Sequence, residues 1–213
     1  LEASASGTDA GTYDVAVTGT AVVKDGAGVD VTKQFNVSVA KASLEIAKRD
    51  VTLTSATDSK EFDGKYLTNK NVSVGGDGFA EGEGATYNVT GKRKIAGSSE
   101  NTFTYALNEG TKADNYNITK NEGTLTVTNR EAKYSIVVTA NSGSEKYDGT
   151  EKSVSGLKTD TFTVNGETYT VSGLTASASG TNAGEYPVNV TGTPAVTDAE
   201  GNDVTEQFAV KTV

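Results

Sequence analysis

Apolar and polar positions along the chain alternate with a period of two. In Tyr13-Asp14-Val15-Ala16-Val17-Thr18, the residues Tyr13, Val15 and Val17 share one face. In Glu185 to Val190, Tyr186, Val188 and Val190 do the same, and in Thr124 to Thr128, Leu125 and Val127 alternate with three threonines. This spacing puts apolar side chains on a core and hydroxyls in water, the pattern of half-buried strands. The pair Asn165-Gly166 separates Thr161–Val164 from Glu167–Val171 and supplies the positive φ angles of a two-residue turn, which predicts a hairpin. Gly7 to Gly11 and Gly180 to Gly184 predict the turn before each tyrosine strand, and Asp25 to Asp30 and Asp198 to Asp203 predict surface connectors. Pro187 stands where the related stretch has Asp14; without an N–H it predicts an edge strand, or a strand with that amide position turned to solvent. No segment has a 3.6-residue period. The nearest, Asn101 to Leu107, is too rich in threonine and aromatics to favour a helix. The expected class is all-β, with tandem Ig-like β-sandwich modules of about seven short strands. A β-grasp-like module is the alternative.

The chain also repeats itself. Residues 1–40 return without a gap as residues 174–213, with roughly 24 of the 40 aligned positions identical. A weaker echo lies between them. Glu61-Phe62-Asp63-Gly64 returns as Lys146-Tyr147-Asp148-Gly149. Gln34-Phe35-Asn36-Val37 returns as Asn115-Tyr116-Asn117-Ile118 and as Gln207-Phe208-Ala209-Val210. The unit of repetition reads as a pair of unlike domains, each on the order of 80 to 90 residues. Boundaries at Lys48-Arg49 and Asn129-Arg130 then give the C-terminal half of a repeat domain at 1–47, a complete β domain at 48–129, and a second β domain lacking its last strand at 130–213. A half-domain leaves an open edge and an uncovered apolar face, so either the true boundaries are permuted relative to these or strand exchange between chains completes the fragments.

Composition narrows the function. Cys, His, Met and Trp are absent and the net charge is −9. With no Cys or His there is no disulfide framework, no Ser-His-Asp triad, no thiol nucleophile and no ordinary zinc site. The acidic balance argues against nucleic acid as a partner. No apolar run approaches the length of a membrane span, so membrane insertion is not expected. The chain reads as an interior piece of something longer.

Few residues are candidates for chemistry. The aromatic-Asp-Gly motif suits a structural corner: the aromatic buries, the Asp accepts from turn amides, and the Gly takes positive φ. Asp198, Glu200 and Asp203 are weak calcium candidates, because oxygen ligands cluster there around Gly201. The sister loop keeps only Asp25 and Asp30 of that set, which favours a solvated loop. Lys133 and Asn189 are conceivable partners in an intramolecular isopeptide bond, which would need a buried acid beside them. The sequons at Asn36, Asn71, Asn88, Asn117 and Asn189 read as ordinary polar-face positions of threonine-rich strands. No catalytic residue and no cofactor is expected.

Val51-Thr52-Leu53-Thr54 leading to Glu61-Phe62-Asp63-Gly64, and Tyr134 to Val138 leading to Lys146 to Thr150, resemble the start of the MBG or YDG repeats of bacterial surface proteins. The Gly-x-Tyr strand, Asn-Tyr-Asn-Ile-Thr and the final Gly-Thr-Leu-Thr-Val-Thr resemble the end of such repeats. Phe62 departs from the tyrosine of the motif, and Lys92-Arg93-Lys94 is atypical. The resemblance implies tandem β modules in secreted, cell-wall-attached, adhesin-like proteins, with no catalytic residues. The expected role is a stalk or spacer that holds a distal head away from the cell, with neighbouring repeats as partners. The alternative is a low-affinity multivalent module for a host glycoprotein or glycan, or for self-association. Burial of Tyr87, Tyr105, Tyr116, Tyr169 and Tyr186 would favour the stalk; their clustering on one outer face would favour binding.

Overall fold

The computed structural model describes residues 1–213. The fold is β throughout, with three single-turn 3-10 helices at Thr32–Gln34, Ala113–Asn115 and Thr205–Gln207. The chain forms two compact units. The first comprises Leu1–Ser55, Lys70–Val89 and Phe103–Glu122, and the second comprises Ala56–Asn69, Thr90–Thr102 and Gly123–Val213. Residues 48–129 therefore contribute to both units. Contacts divide this stretch differently from the sequence repeat.

In the first unit the strand Arg49–Ser55 is central. It pairs in parallel with Tyr116–Asn121 and antiparallel with Val72–Gly76. Its alternation is the reason: Val51, Leu53 and Ser55 are buried while Thr52 and Thr54 are half-buried. Ala85–Val89 pairs antiparallel with Phe103–Leu107. Val51, Leu53, Val89, Phe103 and Tyr116 form the core, with Phe79 edge-on to Tyr116 at a centroid distance of 5.1 Å. Residues 1–47 belong to this unit but contain no buried residue. Glu2–Ser4 pairs with Ala16–Thr18, and Gly11–Asp14 pairs with Ser43–Ile46.

The second unit is built around Glu167–Gly180, a strand of 14 residues. It carries Thr161–Val164, Lys152–Ser155 and Asn189–Asp198, all antiparallel. At Gly173 the register shifts, and φ there is 78°. A Cβ at this point would lie 2.3 Å from the Thr193 carbonyl oxygen, so only glycine lets the two backbones approach. Tyr134–Val138 pairs in parallel with Phe208–Thr212. Thr124–Thr128 lies between Asp58–Glu61, parallel, and Gly97–Glu100, antiparallel. The core draws from both sides of Asn129. Phe62, Leu67, Leu125 and Val127 come from the earlier repeat, and Ile136, Val138, Tyr169, Val171, Val196, Val204 and Phe208 from the later one.

The hairpin expected at Asn165-Gly166 forms, with φ of 53° and 82° at those residues. Asn101 to Leu107 is extended, with Phe103–Leu107 a strand. The two long repeats keep one register: Glu2↔Thr18 in the first copy is Thr175↔Thr191 in the second. They differ at the tyrosine strand. Gly11–Asp14 is a strand, but Gly184 to Val188 is not. Pro187 removes an amide there and with it a donor that a ladder would need. The expected edge strand gives way to unpaired chain.

Phe62 is 0% exposed in the core of the second unit. Phe62→Ala is expected to destabilise that unit by about 3–5 kcal/mol through lost burial and a residual cavity. Urea unfolding followed by amide exchange within Gly123–Val213 checks this.

Candidate functional site: the junction at Asn129-Arg130

The basic residue expected to mark a boundary is tied down from several directions. Arg130 Nη1 donates to the Phe62 carbonyl oxygen at 3.1 Å, and Nε donates to the Ala132 carbonyl at 2.9 Å. Its guanidinium lies over the Tyr134 ring, 4.1 Å from the centroid. Buried Gln207 clamps the residues on either side of the boundary. Its Nε2 donates to Asn129 Oδ1 at 2.6 Å, and its Oε1 accepts from the Arg130 amide at 3.1 Å. A linker held by this many directed bonds behaves as part of the fold rather than as a swivel.

Gln207 reaches this position because it ends the 3-10 turn Thr205–Gln207, directly before the buried Phe208. The first unit repeats the arrangement. Asn115 ends the turn Ala113–Asn115 before buried Tyr116. Asn115 Oδ1 accepts from the Ala10 amide at 2.7 Å, and Nδ2 donates to Asp9 Oδ1 at 3.0 Å. Lys112 adds an ion pair to Asp9 at 2.7 Å, and these partners lower the Asp9 pKa, the Lys112 hydrogen bond most. In both places a side-chain amide preceding a buried aromatic reaches back to residues at or before the start of its own repeat. The signal was present in the recurring Gln34-Phe35, Asn115-Tyr116 and Gln207-Phe208, but the grip itself depends on tertiary position.

The aromatic-Asp-Gly motif forms the corner its residues suggest. Asp63 Oδ1 accepts from the Lys65 amide at 2.9 Å, Gly64 has φ of 84°, and Asp148 Oδ1 accepts from the Thr150 amide at 2.9 Å. Hydrogen bonds from Lys152, then from Thr150, bring the Asp148 carboxyl down to about 2. The aromatics have opposite fates. Phe62 is fully buried, and the Gly64 turn sits so close over Tyr169 that a Cβ would fall 2.3 Å from its hydroxyl. Burial pushes the Tyr169 phenol up to about 12. Tyr147 is 68% exposed.

The calcium candidates are differently engaged. Asp198 is buried, and its Oδ2 lies 3.2 Å from Lys94 Nζ, which also pairs with Glu200. Asp198 Oδ1 accepts from the amides of Glu200 at 3.1 Å and Asn202 at 2.8 Å. Asp203 Oδ1 accepts from the Thr205 amide at 2.9 Å. The sister loop closes the same way, with Asp25 Oδ1 accepting from the Ala27 and Val29 amides, both at 2.9 Å. The outer aspartates thus hold a turn, and the positive charge facing Asp198 and Glu200 is Lys94. Burial by itself raises the Asp198 pKa, but hydrogen bonds from Asn202 and then Lys94 outweigh it and hold the carboxyl below its ordinary range. Lys94 is raised above its ordinary value: burial opposes its charge, but Glu200 and Asp198 overcome that. In the sequence Lys92-Arg93-Lys94 is only an atypical basic stretch; the role of Lys94 needs residues more than a hundred positions away.

Lys133 lies 3.4 Å from Glu206, an exposed acid, and Asn189 stands opposite Ser177 in the sheet. All five sequon asparagines are exposed. Of the five tyrosines, Tyr116 and Tyr169 are buried, Tyr87 is half-buried, and Tyr105 and Tyr186 are 37% and 44% exposed. Tyr186 closes its own turn, its hydroxyl donating to the Asn182 carbonyl at 3.0 Å while its ring covers Gly180. Tyr13 does the same with Asp9 and Gly7. A shallow groove of about 510 Å³ beside the junction is lined by Phe62, Ile95, Pro194, Val204 and Gln207 among others. Compared with known proteins, the chain matches no family model, no curated protein and no solved structure.

Lys94→Met leaves the Asp198 carboxylate buried without its cation. The expected cost is about 3 kcal/mol near neutrality. Because the folded-state pKa of Asp198 is lowered, its stabilising contribution is present above the ordinary carboxylate value of about 4 and is lost as pH falls through the folded value. In the variant that acid-side loss begins at higher pH. Urea midpoints of both proteins across the acid range measure it.

Proposed function

We propose that this chain is a run of structural spacer modules from the stalk of a secreted bacterial surface adhesin, of the kind its MBG/YDG-like motifs suggest. Each module is taken as an Ig-like β-sandwich. The observation that carries the proposal is the core of the second unit, which is made jointly by the repeats on either side of Asn129. Bending there would draw Phe62 and Leu125 away from residues such as Tyr169 and Phe208 and expose apolar surface, at about 25 cal/mol per Å². The clamp of Gln207 and Arg130 resists the same motion. A passive extender needs stiffness of this kind, because a flexible string lets its ends approach while a stiff one keeps them apart. Two further features agree. Tyr116 and Tyr169 serve the cores and Tyr186 serves its own turn. The lack of Cys and His leaves the module with groups suited to packing and solubility. The partners implied are neighbouring repeats, at a cell surface.

The repeat supplies its own test. Val213 aligns with Ala40, so appending a further copy of residues 41–213 after Val213 continues the array in register. Solution scattering of the chain with one and two added copies is expected to show the maximum dimension rising by a constant increment. A dimension that grows only with about the square root of length indicates flexible stringing and overturns the spacer reading. Binding of a glycan or host glycoprotein that strengthens steeply with copy number would favour the multivalent alternative.

A further inference from the structure

The two long repeats are an internal comparison, because one sequence appears in two settings. In the second copy Phe208 is 5% exposed, Val204 3% and Val196 0%. Their counterparts in the first copy are Phe35, which is 57% exposed, and Val31 and Val23, which are half-buried. Val37 and Val39 complete an apolar row with Phe35, at 44% and 56% exposed. The turns ahead of this row are preserved. The turn Thr32–Gln34 matches Thr205–Gln207, and the isolated pair Lys24↔Asp30 matches Thr197↔Asp203. What differs is the cover. Phe208–Thr212 is a strand paired in parallel with Tyr134–Val138, and Phe208 packs on Tyr134 and Tyr169 with ring centroids 5.7 and 4.7 Å away. Phe35 to Val39 has no strand beside it.

We propose that Phe35–Val39 is an acceptor edge for a second copy of the segment 129–173, whose Tyr134–Val138 strand pairs with it in parallel. The register follows from the sister pairing: Tyr134 opposite Phe35, Ile136 opposite Val37 and Val138 opposite Val39. The occupant is specified by side chains as well as by backbone. Phe35 takes the place of Phe208 against Tyr134 and Tyr169, and Gln34 takes the place of Gln207, which grips Asn129 and the Arg130 amide. One contact does not carry over. Lys33 stands where Glu206 pairs with Lys133, so that exposed ion pair is lost, a small change for a surface pair. An uncovered row of alternating apolar residues on an unpaired edge is a known template for strand addition. Here the sister copy names the strand.

The second copy shows how such a segment connects. In the second copy the cover lies immediately ahead of Leu174 on the same chain, and Glu167–Gly180 runs through that point as one strand. A copy of Asn129–Gly173 fused ahead of Leu1 recreates the Gly173-Leu174 connection as Gly173-Leu1. Amide hydrogen exchange of the full chain with this fusion is expected to bring the Phe35–Val39 amides to within about tenfold of the protection of Phe208–Thr212, whereas in the unfused chain they exchange as exposed backbone. A fusion whose added copy carries Ile136→Asp and Val138→Asp is expected to give no protection. Phe208–Thr212 in the same molecules reports that the rest of the chain stays folded. The proposal is overturned if the native fusion leaves Phe35–Val39 unprotected, or if the doubly substituted fusion protects it equally. It is also overturned if the unfused chain gains protection there as protein concentration rises, which would assign the edge to strand exchange with a second chain.

Discussion

Phe62 is buried by residues that follow Asn129, and this burial across a repeat boundary is the constraint on which the second unit depends. A module of this size with no disulfide and a modest apolar content has little core of its own. Sharing side chains with the next repeat enlarges the core at no cost in chain length. The Gly64 turn closes over Tyr169, Arg130 holds the Phe62 carbonyl, and Gln207 holds the connector. Each contact has one partner on either side of the boundary, so the junction and the core are the same object.

That economy explains why the same motif can look so different. Phe62 and Tyr147 occupy equivalent corners, with equivalent Asp and Gly geometry, yet one is sealed and the other lies open to solvent. The local sequence dictates the turn; the neighbour dictates burial. Phe35 and Phe208 show the same separation of causes. A residue in such an array therefore has a fixed conformation and a conditional environment, and its contribution to stability depends on what stands next to it.

Much of the secondary structure was legible because it follows from local rules. Period-two alternation marked Thr124–Thr128, Asn165-Gly166 marked the hairpin, and the aromatic-Asp-Gly corner took the shape its side chains demand. The alternation of Tyr186, Val188 and Val190 does not make a strand of Gly184 to Val188, because Pro187 in their midst lacks the amide a ladder requires. The junction was hardly legible at all. Lys94 meets Asp198 across more than a hundred residues, and nothing in a linear pattern says that a basic residue in an atypical stretch will neutralise a distant loop. The same distance hid the cation that faces Asp198 and Glu200.

The use of a buried ion pair at this junction, where an apolar pair would also pack, has a physical consequence for assembly. Bringing Lys94 and Asp198 out of water offsets much of their attraction, so the pair adds less net stability than a well-packed apolar replacement would. Its asymmetry is the larger effect. A repeat that presents an apolar residue where Asp198 stands would strand a buried ammonium, and one lacking Lys94 would strand a carboxylate; either costs several times what the matched pair contributes. The loop at Asp25 makes the contrast visible. It keeps the turn aspartate but has Ala27 where the other has Glu200, and Asp25 spends its carboxylate on turn amides without a lysine facing it as Lys94 faces Asp198. Apolar contacts among Val, Leu and Tyr are forgiving of which residue meets which. A charge that must be matched is not, so the Lys94–Asp198 pair ties the two sides of Asn129 to each other more specifically than the shared core does.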